Sequence, residues 1–258
     1  MCTILAWLGE HPRYPLIIAA NRDEYEDRAS SGPQVLSETP LVVGGRDDLA
    51  GGTWLAISER GFICAVANRK GAGAHDPSKR SRGALVFELA RAQNVAGARL
   101  LIESHDARSY NPFILAAADA QGGFAAHGGA RGLDVALLNG GAHAITNWDL
   151  DSDVAPKAVR AKSIARSFDP SRSGDPDELA RRLHEILRDH AAGPGGLGGG
   201  LCVHRPESRY GTRSAWIVMV SARPDESRAY YIEGHPCDSE LSDVTHLLRG
   251  TIGGGVKR

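Results

Sequence analysis

Met1-Cys2-Thr3-Ile4-Leu5-Ala6-Trp7-Leu8 opens the chain, and Leu16-Ile17-Ile18-Ala19-Ala20-Asn21-Arg22-Asp23-Glu24 follows it across a Pro-containing turn. Both contain short apolar runs of strand length, rich in residues that fit a pleated surface. One starts on a cysteine and the other ends on four polar residues. If the two strands pair, Arg22 and Asp23 are delivered to the end that carries Cys2. Methionine removal is favoured before a small residue, and it would leave a free α-amine beside the thiol on Cys2. Such an amine titrates at about 7.7–8.0, so near neutral pH part of it is able to accept the thiol proton. A carboxylate would hold its ammonium form, and an arginine or amide would stabilise the thiolate. The plain structural readings are a small hydrophobe opening a buried strand and a charged turn after it.

The bulk numbers agree with a folded enzyme-like or binding domain. The chain has 258 residues and 42% hydrophobic content, enough for a substantial core, and is read as a single domain over 1–258. Thirty Lys+Arg against thirty-one Asp+Glu leave a net charge of -1, with no basic stripe for nucleic acid. Cys2, Cys64, Cys202 and Cys237 lie far apart without a CxxC pair and read as reduced thiols. No apolar run approaches the length that spans a bilayer, and no signal peptide is recognised, so a soluble cytoplasmic protein is expected.

Further along, Thr53–Ser58 and Gly61–Ala67 predict a hairpin. Ala84–Ala92 and Val95–Glu103 predict helices, with Asn94 as break and cap. Phe113–Ala118 and Gly123–His127 read as strands, Val154–Phe168 and Pro176–Ala192 as helices. In the last, Leu179, Leu183, Ile186 and Leu187 share a face and Asp175 is the expected cap. Ala215–Val220 and Arg228–Glu233 close the pattern as strands, and the order β, α, β, α, β suggests sheets between helical layers. The run 193–200 is six glycines with Pro194 and Leu197, lacks the Gly-Lys-Ser/Thr ending of a phosphate loop, and is expected to be a mobile connection. The 253–258 end is expected to fray.

The blocks MCTILAW, IIAANRDEY, GGTWLAIS, AVANRK, SRGALV, YNPFILAAAD, ITNWDLDS and RYGTRSAWIVMV resemble the successive signatures of the NRDE protein family, which includes the transport and Golgi organisation protein 2 homologues. The resemblance runs from Cys2 to about Val220. It implies an α+β fold, the four-layer αββα sandwich of N-terminal nucleophile hydrolases, close to the penicillin acylase and bile salt hydrolase branch. By position Cys2 then resembles the nucleophile and Asp23 the partner of its amine. Asn68 and Asn147 resemble the amides near the oxyanion, and Arg213 the arginine closing the site, with Arg22 adding positive charge. Asn21, Glu24, Trp54, Trp148 and Tyr210 are the remaining contact candidates, Glu24 also as a surface or ion-paired residue. The hydrolase branch has Arg-Asn-x-Asp, and its arginine falls where this chain has Ala20; Arg22 is expected on the opposite strand face.

Ten histidines carry no metal-ligand spacing, and His204 beside Cys202 reads as a structural pair, so no metal and no required cofactor are expected. The family's association with haem and acyl-CoA implies a small-molecule or lipid-like ligand, with haem a candidate. Binding or trafficking of that ligand is the first functional expectation. A cysteine amidohydrolase cleaving a non-peptide C–N bond is the alternative.

Overall fold

The computed structural model describes residues 2–70, 75–190 and 199–249. The expected mobile run 193–200 lies largely outside these residues, and Met1 and the expected frayed end lie wholly outside them.

β1 (Thr3–Leu8) and β2 (Leu16–Tyr25) pair antiparallel, Thr3 opposite Asn21 and Leu8 opposite Leu16. β3 (Ser30–Glu38), β4 (Leu41–Asp47), β5 (Leu55–Ser58) and β6 (Ile63–Asn68) follow as consecutive antiparallel neighbours. Helices α1 (Arg82–Ala90) and α2 (Val95–Ser104) precede β7 (Phe113–Asp119), β8 (Gly122–Gly129) and β9 (Gly132–Leu138). β10 (Gly141–Ile145) returns to β1, and α3 (Pro156–Ser167) and α4 (Pro176–Leu187) come next. β11 (His204–Arg205), β12 (Tyr210–Val220), β13 (Arg228–Glu233) and β14 (Ser242–Asp243) complete the first sheet. Among the described residues there are two seven-stranded sheets. One has the order β10-β1-β2-β12-β13-β14 with β11 on β12; the other runs β3 to β9 in sequence.

Strand alternation sorts the apolar residues into three cores. Leu16, Ile18 and Ala20 of β2 meet Val43, Leu55, Ile57, Ala65 and Ile114 of the other sheet. Ile17 and Ala19 face Ala161 and Ala165 of α3 and Leu179, Leu183 and Leu187 of α4. On the far side Leu85, Val86 and Leu89 of α1 and Ile102 of α2 pack on Val42, Ala56, Cys64 and Leu115. Because central strands are covered on both faces, their sequences read as unbroken apolar runs. Truncating a fully buried residue such as Leu183 to alanine costs about 2–5 kcal/mol.

The helix caps follow the expected residues. Asn94 Oδ1 accepts from Gly97 N at 2.8 Å and Asp175 Oδ2 from Glu178 N at 3.1 Å. The first helix starts earlier than expected, at Arg82, because Ser81 Oγ accepts from Ala84 N. The fourth ends earlier, at Leu187, whose carbonyl accepts from Asn21 Nδ2 at 3.0 Å, while Arg160 holds Asp189 just beyond. β3, β9 and β10 went unread because they are sheet edges whose half-exposed residues lack a continuous apolar pattern; the central β4 also went unread, because its apolar run stops at Val43 before Gly44 and Gly45.

Candidate functional site

Cys2 sits immediately before β1, and its register sets the site. Ile4 lies opposite both Ala20 of β2 and Ile145 of β10, so two steps back Cys2 comes level with Arg22 on one side and Asn147 on the other. The thiol is half-buried and donates to the Asp23 carbonyl at 3.9 Å.

On β2 the four polar residues divide between two faces. Ala20 belongs to the core between the sheets, and Arg22, two residues on, points to the same side and lines a cleft with Cys2. This corrects the expectation of an opposite face: a period-2 strand puts residues i and i+2 together. Arg22 is 6% exposed, donates to Ser30 Oγ at 3.4 Å and pairs with Glu24 at 3.9 Å. Glu24 also lines the cleft and pairs with Arg28 at 3.6 Å.

Asn21 faces the other way, which removes it from the ligand contacts. Its Nδ2 donates to the carbonyls of Leu187 and Leu201, each at 3.0 Å, tying α4 and the 201 segment to the strand. Asp23 has its backbone carbonyl toward the thiol and its carboxylate in the helical layer. Oδ2 accepts from Lys157 Nζ of α3 at 2.7 Å, and Oδ1 from Thr212 Oγ1 of β12 at 2.6 Å. The Asp23 and Lys157 side chains are 0% and 5% exposed, a buried ion pair set directly behind Cys2.

The cleft measures about 610 Å³. One wall is Cys2, Arg22, Ser214 and Tyr231 of the first sheet; the other includes Trp54, Val66 and Asn68 of the second. Arg28, Arg46, Lys79, Arg80 and Arg82 join Arg22 around it, so six cationic side chains meet three carboxylates, those of Glu24, Asp47 and Asp76. Arg28 is committed to Asp47 at 2.5 Å. Burial holds the Arg82 guanidinium below its ordinary value, and Arg28 adds to this. Burial pushes the Cys2 thiol up; the Asp23 carboxylate adds to the rise and Arg22 opposes it. Burial and a hydrogen bond to Glu233 raise the Tyr231 phenol.

Asn68 and Asn147 come together. Asn147, 4% exposed, donates from Nδ2 to the Asn68 carbonyl at 2.5 Å, while its Oδ1 has no partner among the described residues. Tyr210 donates its hydroxyl to the Asp23 carbonyl at 3.1 Å and packs edge-on against Tyr25 of the cleft wall. Trp148 and Arg213 are not among the lining residues. Arg213 sits at a bulge between Thr212, opposite Asp23, and Ser214, opposite Arg22, and its charge helps keep His235 below its ordinary value, after the larger effects of burial and His204.

Arg82 and Lys157 were missed as functional residues. Arg82 lies inside the SRGALV block, which carried the signal without a role. A Cβ at Gly52 would sit 2.3 Å from the Gly83 carbonyl carbon, and Thr53 N donates to Gly83 O at 3.1 Å. The GGTW and SRG blocks therefore touch backbone to backbone, which needs glycine and sets Trp54 and Arg82 on one wall. Lys157 had no sequence signal, because only helix packing carries it to Asp23.

The same architecture occurs in the conjugated bile acid hydrolase of Clostridium perfringens, seen as a mutant (TM-score 0.57, 11% identity, covering 95% of this chain and 93% of that one). It occurs also in penicillin V acylase from Agrobacterium tumefaciens (TM-score 0.58, 14% identity, 90% and 83%). The fold is thus α+β and similar to that of these two hydrolases, with Cys2 immediately before its first strand. The profile of the family Transport and Golgi organisation 2 matches residues 1–234, and the chain belongs to that family. The human Transport and Golgi organization protein 2 homolog is 28% identical over 269 residues, 94% of this chain and 95% of the relative.

Proposed function

We propose that the protein binds or traffics a large amphipathic ligand with acidic groups, of the haem or acyl-CoA and lipid class, in the Cys2 cleft. The observation that carries this reading is the excess of cations around a partly apolar cleft. Arg22, Arg80 and Arg82 offer positive charge beside Trp54, Val66 and Tyr231. A cavity of about 610 Å³ falls in the range for ligands of that size. The three apolar cores support stacking of the helix pairs and sheets as αββα, with the cleft opening at an end of the central core. That no helix among the described residues is long and apolar enough to cross a membrane is compatible with a cytoplasmic carrier, as are four cysteines without disulfides. Titration with haem, read as a Soret shift, and with palmitoyl-CoA, read by calorimetry, tests it. Micromolar binding of at least one ligand, weakened about tenfold or more by Arg82→Glu, is expected. Absence of binding by both ligands refutes the proposal.

The position of Arg22 favours a second reading, a cysteine amidohydrolase acting on a non-peptide C–N bond. It restores a guanidinium to the face where the hydrolase pattern has arginine. Cys2 Sγ would attack the carbonyl and release the amine, with the α-amine freed by loss of Met1 carrying the proton. This reading predicts a processed N-terminus and a covalent acyl adduct on Cys2. Intact mass measurements on wild type and Cys2→Ala check both; retention of Met1 in active protein refutes it.

A further inference from the structure

Away from the cleft, where the end of α4 meets β11 and the turn after β13, four metal-ligating side chains converge. His190, Cys202, His204 and Cys237 each place one ligand atom within 4.8 Å of all the others. Cys202 Sγ lies 3.8 Å from Cys237 Sγ and 3.6 Å from His204 Nε2, which is 3.2 Å from Cys237 Sγ. We infer that these four residues form a tetrahedral structural zinc site.

The distances match that geometry. With Zn–S at about 2.3 Å and Zn–N at about 2.0–2.1 Å, tetrahedral angles set two sulfurs about 3.8 Å apart and a sulfur and nitrogen about 3.5 Å apart. A disulfide would need the sulfurs at about 2.05 Å, so the observed pair is two thiols. Two thiolates with two imidazoles suit zinc, whereas oxygen-rich sites suit magnesium or calcium. His190 is exposed, and a change of its rotamer would close the remaining gap.

The backbone around the cluster is already held. Cys202 N donates to the Asp189 carbonyl at 2.9 Å, and buried His184 reaches the Pro236 carbonyl at 2.8 Å. Arg188 Nη2 donates to the Cys237 carbonyl at 3.4 Å. His204 stacks on His235 with ring centroids 3.9 Å apart, which fixes its plane. Such outer contacts orient ligands before the ion arrives. Sequence spacing hid the site because only Cys202 and His204 are neighbours; His190 and Cys237 come from the segments just after α4 and β13. The site also adjoins the functional cleft: Val203 N donates to Thr212 Oγ1 at 2.8 Å, and that hydroxyl donates to Asp23. Zinc would therefore brace the strand segment that holds Asp23 behind Cys2. Four protein ligands leave no open position, which makes the role structural.

The test is metal analysis of the full chain purified under reductant, with cobalt substitution as a second readout. One zinc per chain is expected, and cobalt should give the ligand-field bands of a tetrahedral ion with thiolate charge-transfer absorption. Cys237→Ser and His204→Ala should each weaken zinc binding by at least about 100-fold, while Cys2→Ser and Cys64→Ala keep full occupancy. His204 is exposed and Cys237 half-buried, whereas Cys202 is buried, so these two variants retain the fold, checked by circular dichroism. Protein that holds no zinc and takes up no cobalt overturns the assignment. So does zinc retained at wild-type affinity in both ligand variants, or a Cys202–Cys237 disulfide that persists in reductant.

Discussion

The two faces of β2 do different work with adjacent residues. Arg22 and Glu24 look into the cleft, where they pair with one another and Glu24 also pairs with Arg28. Asn21 and Asp23 look into the helical layer, where their partners are two backbone carbonyls, Lys157 and Thr212. One four-residue signature thus supplies charge to the cleft on one side and fastens the helices on the other. The difference teaches that a family motif need not be a list of contact residues. Half of this one acts by holding the other half in place.

The comparison is broken most sharply at the buried pair. Lys157→Ala should cost about 3–5 kcal/mol in chemical denaturation, because the buried Asp23 carboxylate loses the Lys157 ammonium. If Asp23→Leu with Lys157→Met recovers most of that loss, the pair specifies geometry more than stability. Asn21→Ala should follow at about 1–3 kcal/mol, since the Leu187 and Leu201 carbonyls lose their donor. On the cleft face Arg22→Ala should cost about 1 kcal/mol, less than the buried pair, because its ion pair with Glu24 is long at 3.9 Å and its hydrogen bond to Ser30 is a single long one. Its larger effect should be on ligand affinity, by about tenfold. A loss of several kcal/mol with unchanged affinity would reverse the assignment of the two faces.

The smallest effect concerns pH. The folded Cys2 thiol titrates above its unfolded value, so it binds a proton the unfolded chain has released. The stability it contributes is full below the unfolded value, about 8.5, and is lost as pH rises through the folded value. Alkylation of Cys2 by iodoacetamide, followed by mass spectrometry, should keep accelerating beyond the pH where a free cysteine levels off. Arg22→Leu should move that profile higher still, because Arg22 favours the thiolate.

The central strands were legible because β1, β2, β6, β7 and β12 are buried on both faces and read as apolar runs. The edge strands were not, since half-exposed residues such as those of β3 leave no pattern. Cys2, Arg22, Asn68 and Trp54, singled out from their blocks, all line the cleft. Arg213 and Trp148 share such blocks yet fall outside the cleft lining, because a bulge and a turn decide where they sit.

By itself the sequence determined which segments become strands and capped helices, the family, and the placement of a cysteine at the head of the first strand. These depend on local periodicity, capping chemistry and block order. Only the tertiary structure decided that Arg22 shares the Ala20 face, that Lys157 meets Asp23 across 134 positions, and that His190 and Cys237 join Cys202. Those facts depend on strand register and on helices docking against a sheet, and contacts between distant segments leave no periodic trace in the chain.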